Sequence, residues 1–226
     1  MELGYWPFKG AAEPIRYVLG YVGAAYTEYN PETREAWGEK KPTLAFDFPN
    51  LPYLKDGEYY LSESGAIPVY IAHKANRSDL VGKDGKDQAI VRQIQGVLGD
   101  IKDSVSKIIW AGAAVDKVLA ADGSVVTKIN ALSKFLGEKD YFLGYVTLAD
   151  IEFTALSHFF SALVTSLEQA DSINAHANLK ALVHRVSGLP GIKERITAAG
   201  DLHFAPPAYL KFKLLTWNEY LSKTSA

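Results

Sequence analysis

The sequence predicts two domains of different texture, a small mixed α/β domain over residues 1–76 and an all-helical domain over residues 88–226, joined by a linker at 77–87. Three observations carry this. The first 30 residues alternate between short strand-like runs and a helical stripe. A hairpin signal, Lys55-Asp56-Gly57, joins two aromatic-rich runs. Beyond residue 87 the texture turns to long helical periodicity with no convincing strand.

Residues 3–6 read as a first strand and Pro7 to Gly10 as a turn. Residues 11–22 read as a helix, because Ile15, Val18, Leu19 and Val22 recur at helical spacing and Pro14 is tolerated in a first turn. Residues 25–29 form a second strand and residues 34–40 a short polar helix or loop ended by Pro42. The hairpin and an apolar helix over 65–75 follow. A strand–helix–strand start demands a parallel pair, and the hairpin adds antiparallel strands, so the sheet is mixed.

Residues 77–87, rich in Gly, Lys and Asp, have too little apolar content for an element. After them Ile90, Ile94, Val97, Leu98, Ile101, Val105 and Ile108 make one long stripe. Residues 125–136 are a further helix. Thr147-Leu-Ala-Asp150 is a capping box opening another that runs towards Leu167. Shorter helices cover 179–186 and 191–198, and the aromatic tail over 206–221 is expected to pack back on the body.

Composition removes several function classes. With 24 Lys and Arg against 26 Asp and Glu, the formal charge of −2 gives no electrostatic case for nucleic acid or an acidic membrane surface. Cysteine is absent, which removes disulfides, thiolate metal sites and a cysteine nucleophile, and fits a reducing compartment. Any sulfur chemistry must use a substrate's sulfur. The five histidines, at 73, 158, 176, 184 and 203, lack metal-ligand spacing with a carboxylate. No GxGxxG follows a strand and no GxSxG elbow occurs. No apolar stretch approaches the roughly 20 residues of a membrane span. MELGYWPFKG lacks the basic and apolar regions of a signal peptide, so a cytoplasmic location is expected.

The most informative stretch is FDFPNLPYLKDGEYYLSE with the serine after it, residues 46–64. Pro52 stands inside a strand run and cannot donate to a ladder, so it marks backbone left open for something else. An X-Pro bond is also the one place where a cis peptide is cheap. A free backbone edge beside a helix start suits a peptide-like ligand that carries a carboxylate.

LGYW at 3–6, the Arg34–Trp37–Lys41 cluster, DFPNLPYL at 47–54 and the Glu63-Ser64 pair together resemble the cytosolic glutathione transferases, the mu class above all. The GxxxDIxxxVSxI pattern over 96–108 and LGYVTLAD over 143–150 are similar to the same family's helical domain. The resemblance implies a thioredoxin-like first domain, an all-helical second domain, a homodimer with the active site near its interface, glutathione as co-substrate, no metal or prosthetic group, and a detoxifying role.

It also implies residue roles. Tyr5 is the catalytic tyrosine, whose hydroxyl donates to the glutathione sulfur. A hydrogen bond to the thiolate lowers the thiol pKa from its free value of about 8.5. Leu51, before Pro52 and beside Asn50, pairs through its backbone with the cysteinyl unit. Ser64 holds the γ-glutamyl carboxylate, and Glu63, standing where mu enzymes have glutamine, pairs with the γ-glutamyl ammonium as in other classes of the family. Arg34, Trp37 and Lys41 match positions that hold the glycyl carboxylate. Trp6 borders the same site, and Asp100 matches an aspartate that reaches the partner subunit's γ-glutamyl amine. Trp110 stands where the mu class has a tyrosine that assists epoxide and enone substrates. Indole cannot donate a hydroxyl proton, so Trp110 is expected to line the electrophile pocket with Phe8, Phe204 and Tyr209. Phe48 resembles an aromatic key that inserts into the other subunit, while Val69 and His73 replace the stacked arginines of mu dimers.

Two other readings remain open at this point. One is a glutathione-dependent isomerase of the prostaglandin D synthase type, which would use the same thiolate. The other is a non-catalytic binding or structural protein, which would have no need of Tyr5.

Overall fold

The computed structural model describes residues 1–207, 210 and 212–224. Four strands, β1 (Glu2–Gly4), β2 (Thr27–Tyr29), β3 (Tyr53–Asp56) and β4 (Tyr59–Ser62), form one sheet in the order β2-β1-β3-β4. β1 runs parallel to β2 with Leu3 opposite Glu28, and antiparallel to β3 with Leu3 opposite Leu54. The β3–β4 hairpin turns at Gly57, whose φ of +61° is the left-handed backbone that this turn requires. This is the mixed α/β, thioredoxin-like first domain that the sequence pattern and the resemblance predict.

Helix α1 (Glu13–Tyr21) carries the crossover, α2 (Arg34–Lys40) lies after β2, and α3 (Ile67–Lys74) follows the hairpin. The α2 start is capped by Thr33, whose side chain accepts the Ala36 N–H at 3.1 Å. α3 begins later than the apolar run suggests. Its cap is Ala66, with no side-chain cap, and Ser64 stands ahead of it rather than serving as one.

The second domain is helical throughout: α4 (Gly85–Trp110), α5 (Val115–Val118), α6 (Ser124–Leu136), α7 (Leu148–Ser166), α8 (Ala177–Ser187), α9 (Ile192–Ala198) and α10 (Trp217–Thr224). α4 starts at Gly85, inside the stretch read as linker. Asp84 there accepts the Lys86 and Asp87 N–H groups, a cap strong enough to begin a helix in polar sequence. Leu80, in the 3-10 turn of residues 78–81, is fully buried and ties the connection to the body.

α7 is the central helix and packs on α4, α8 and α1. Its start is the capping box read from the sequence. Asp150, with no exposed surface, accepts from Thr147 N and Oγ1 through one oxygen and from Phe142 N through the other. α1 touches both domains. Its backbone meets α9 where Gly20 faces Gly191; a Cβ at Gly20 would lie 2.5 Å from the Gly191 carbonyl oxygen. In the same contact, buried Glu13 accepts from Arg195 at 2.7 Å and from Arg16 at 3.3 Å, and Arg16 turns to Glu28 at 2.9 Å. Such a buried network has definite geometry, and removing one member strands the others.

Candidate active site

A cavity of about 730 Å³ opens between the two domains. The first domain supplies Tyr5, Trp6, Phe8, Gly10, Ser64 and Gly65; α4 supplies Gln95, Ser106 and Trp110; α7 supplies Glu152, Leu156 and Phe159; and the chain after α9 supplies Phe204. Its lining combines aromatic rings with polar and charged groups. A site that must hold a charged peptide and an apolar partner together needs both kinds of lining.

Tyr5 follows β1 directly, so the sheet fixes its backbone. Its N–H donates to the Tyr29 carbonyl at 3.0 Å, and the Asn30 amide donates to its carbonyl at 2.9 Å. The side chain is buried, and its hydroxyl oxygen accepts the Ala11 N–H at 3.0 Å. Burial raises the phenol's pKa above its ordinary value; the Ala11 N–H and the Arg16 charge offset part of that rise. The group is therefore a neutral phenol at physiological pH, with its oxygen filled from behind and its own proton left to donate. Phe8 packs edge-on to it, with ring centroids 5.4 Å apart.

Gly10 makes this arrangement possible. Its φ is +46°, and a Cβ there would sit 2.5 Å from the Tyr5 oxygen. The same turn is held by the C-terminal region, because Lys9 N donates to the His203 carbonyl at 2.8 Å and Gly10 N to the Phe204 carbonyl at 3.1 Å. The Lys9 ammonium lies 4.3 Å from the Phe204 ring centroid, and burial lowers its pKa to about 8.

Of the residues expected from the sequence, Tyr5, Trp6, Phe8, Ser64, Trp110 and Phe204 line this one cavity. Ser64's hydroxyl has no hydrogen-bond partner among the described residues. Glu63, just before it, holds a φ of +74°, strained for a residue with a side chain and found where the fold over-determines it. Trp110 is half exposed at the rim.

Arg34, Trp37, Lys41, Asn50, Leu51 and Pro52 lie outside the cavity. Trp37 stacks on Tyr53 at 6.2 Å, docking α2 on the sheet, while Arg34 and Lys41 are exposed at the two ends of that segment. The Leu51–Pro52 bond is cis. Asp100 faces away from the cavity, exposed and 3.6 Å from Lys128. Tyr209 lies outside the described residues. Among the described residues no cluster of His, Asp and Glu is arranged to hold a metal, and no helix is long and apolar enough to cross a membrane.

The reading of the sequence missed the wall built by α4 and α7. Glu152, Ala155, Leu156 and Phe159 recur at helical spacing, which is also the pattern of a core stripe. The one available signal was Glu152 itself, a carboxylate in the otherwise apolar face of the helix. It accepts from Gln95 Nε2 at 2.7 Å, and Gln95 accepts from Arg92 at 3.2 Å. Burial holds its carboxyl up at about 7, against the lowering effects of Gln95, Lys102 and Arg92.

Comparison with known proteins decides the family. Residues 1–73 match the family model for the Glutathione S-transferase, N-terminal domain, and residues 125–186 that for the Glutathione S-transferase, C-terminal domain. The human Glutathione S-transferase Mu 4 is 30% identical over 85% of this chain and 84% of its own length. The chain belongs to the glutathione S-transferase family. Its curated relatives of the mu class are glutathione transferases, and this chain is an enzyme of that kind. A crystal structure of the glutathione S-transferase Blo t 8, 23% identical, superposes with a TM-score of 0.77 over 92% of this chain and 97% of that one, which places the fold. The structure of prostaglandin synthase D of Nilaparvata lugens, 26% identical, gives a TM-score of 0.69 over 87% and 96%.

Proposed function

We propose that this transferase adds the thiolate of glutathione to hydrophobic electrophiles, with Tyr5 stabilising the thiolate. One observation carries the reading: a neutral, buried phenol, its oxygen already filled by the Ala11 N–H, faces a cavity whose neighbouring wall is aromatic. A donor fixed before the ligand arrives favours the ionised sulfur without reorganisation at the moment of reaction. The chain has no cysteine, so the nucleophile is the tripeptide's own.

Ser64 is assigned to the γ-glutamyl carboxylate and the strained Glu63 to the γ-glutamyl ammonium, Leu51 beside the cis Pro52 and Asn50 to the cysteinyl backbone, and Arg34, Trp37 and Lys41 to the glycyl end. Trp6 borders the tripeptide, and Asp100 reaches the partner subunit's ligand. Phe8, Trp110 and Phe204 surround the electrophile. Phe48 is 76% exposed on the loop before β3, as an aromatic key for a second copy would be, and supports a homodimer. The enzyme needs no metal, works in the cytoplasm and serves detoxification.

Tyr5→Phe is the test. Turnover of chlorodinitrobenzene should fall about 10- to 100-fold with glutathione affinity nearly unchanged. Equal turnover in variant and wild type would remove Tyr5 from the mechanism. A second reading, isomerisation of an endoperoxide by the same thiolate, is favoured by the likeness to prostaglandin synthase D; production of a single isomer without net consumption of glutathione would support it.

A further inference from the structure

The chain is slightly acidic overall, at −2, but its cavity is not. The charged lining consists of Lys9, Arg92 and Lys102 against Glu13 and Glu152. Glu13 is neutralised by Arg16 and Arg195, and burial holds the Glu152 carboxyl up at about 7, so near neutrality it carries about half a charge. The lining is therefore net positive. Of its three cations, Arg92 is engaged with Gln95, and the Lys9 ammonium lies over the Phe204 ring. Lys102 has neither a hydrogen bond nor an ion pair among the described residues.

On α4 the cavity-lining residues Lys102, Ser106 and Trp110 follow one another a turn apart. Residues four apart on a helix share a face, with Cβ atoms about 5–6 Å from each other. The Lys102 charge acts on the Glu152 carboxyl, which puts its ammonium on the cavity side of α4. The Ser106 hydroxyl has no partner among the described residues, whereas Ser104 and Ser157, on the same two helices, donate to the carbonyls four residues before them. The level of the pair along the cavity follows from the register of the helices. From the rung where Gln95 donates to Glu152, the lining of α4 continues to Trp110 and that of α7 to Phe159, so the two helices run the same way. Lys102 and Phe159 each lie seven residues on, a rise of about 10 Å. The Phe159 ring is 6.0 Å from that of Phe204, whose carbonyl accepts from Gly10, and Gly10 borders the Tyr5 hydroxyl. Lys102 and Ser106 therefore stand towards the Tyr5 end of the cavity, away from Glu152.

We propose that Lys102 and Ser106 form a donor pair for a carboxylate on the electrophile, so that the enzyme prefers aromatic electrophiles that carry one. This rests on the proposed transferase reading and narrows its substrate class. The carboxylate accepts from the ammonium and the hydroxyl, while the ring lies among Phe8, Trp110 and Phe204. The bond changes stay those of the transfer. With an aryl chloride, the thiol proton goes to solvent, the thiolate forms the S–C bond, the C–Cl bond breaks, and chloride leaves with its electron pair. The carboxylate is remote from the reacting carbon, so the pair holds substrate and transition state alike and acts on KM rather than kcat.

The experiment compares chlorodinitrobenzoate with the matching chlorodinitrobenzamide on the full-length protein with glutathione at neutral pH. Each kcat/KM is divided by the rate constant of the uncatalysed reaction, which removes the difference in ring activation. Wild type should favour the acid about tenfold, the effect of one charge-assisted pair. The preference should shrink at high salt, because Lys102 is exposed. Lys102→Met keeps the length and the apolar stem, and its acid-to-amide ratio should fall to about one through the KM of the acid. Lys102→Arg should keep the preference, and Lys102→Glu should reverse it. Ser106→Ala should lower the ratio about threefold. A wild-type ratio near one, or a preference that survives in Lys102→Met, would overturn the assignment. Wild type that turns over neither electrophile would bring down the transferase reading itself, and this assignment with it.

Discussion

The Ala11 N–H donates to the Tyr5 hydroxyl across 3.0 Å, from the turn that leads into α1. A backbone donor behind the phenol does two things. It fixes the direction of the phenol's own proton, and it offsets part of the burial that would otherwise make the group a weaker acid. The contact depends on the backbone of Gly10, so the site can be disturbed without touching its chemistry.

Gly10→Ala should do that. The new methyl meets the Tyr5 oxygen at 2.5 Å, and the φ of +46° is unfavourable for alanine. Denaturant unfolding should show a loss of about 1–3 kcal/mol. Turnover should fall about as far as in Tyr5→Phe, because the phenol is displaced rather than removed. A variant with full turnover would show that the phenol does not need this support.

His158 should make stability depend on pH. Its ring is buried between Tyr17 Oη, 2.9 Å from Nδ1, and Ser187 Oγ, 3.1 Å from Nε2, and lies 4.1 Å from the Trp217 ring. Burial, aided by the Lys9 charge, lowers its pKa from the model-peptide 6.5 to about 3. The unfolded chain takes up a proton near pH 6.5 that the folded chain refuses, so this residue's contribution to stability falls as pH drops from about 6.5 towards 3, by up to about 1.4 kcal/mol per unit. Glu152, whose carboxyl burial holds up at about 7, works the other way over the same range, so the residue is read by difference. In urea unfolding at pH 7.5, 6.5 and 5.5, the stability of wild type relative to His158→Gln should fall between the last two points.

Glu13→Ala should be among the most destabilising single changes. It leaves Arg16 with only Glu28 and the Phe8 and Lys9 carbonyls, and leaves Arg195 without its carboxylate at the seam between domains. The expected loss is about 3–5 kcal/mol. Combining it with Arg195→Ala should cost less than the sum of the two single changes, because each alone strands the other's charge. Additive losses in thermal unfolding would count against a shared network.

Much of this was legible in the chain because local chemistry and global fold agree there. The hairpin follows from Lys55-Asp56-Gly57, and the start of α7 from Thr147 and Asp150, whose hydrogen bonds are local. α5 was not legible, since Val115–Val118 is a single turn in an alanine-rich stretch with no periodicity to read. The start of α4 was hidden because Asp84 supplies a cap where composition suggests a linker. In the site, the first-domain half followed from short contiguous motifs. The α7 half did not, because a helix face against a cavity carries the same apolar spacing as one against a core, and only the register of α4 on α7 brings Gln95 to Glu152.

The turn that aims the Tyr5 phenol is sewn by two backbone bonds to residues 203 and 204, nearly two hundred positions downstream. The boundary between the domains is therefore not a boundary between duties. A ribosome that has released only the thioredoxin-like half has made a sheet whose key side chain still lacks its abutment, and competence arrives only when residues 203 and 204 emerge and dock. Any lesion that loosens the stretch after α9 should silence the enzyme from a distance while leaving its first domain folded.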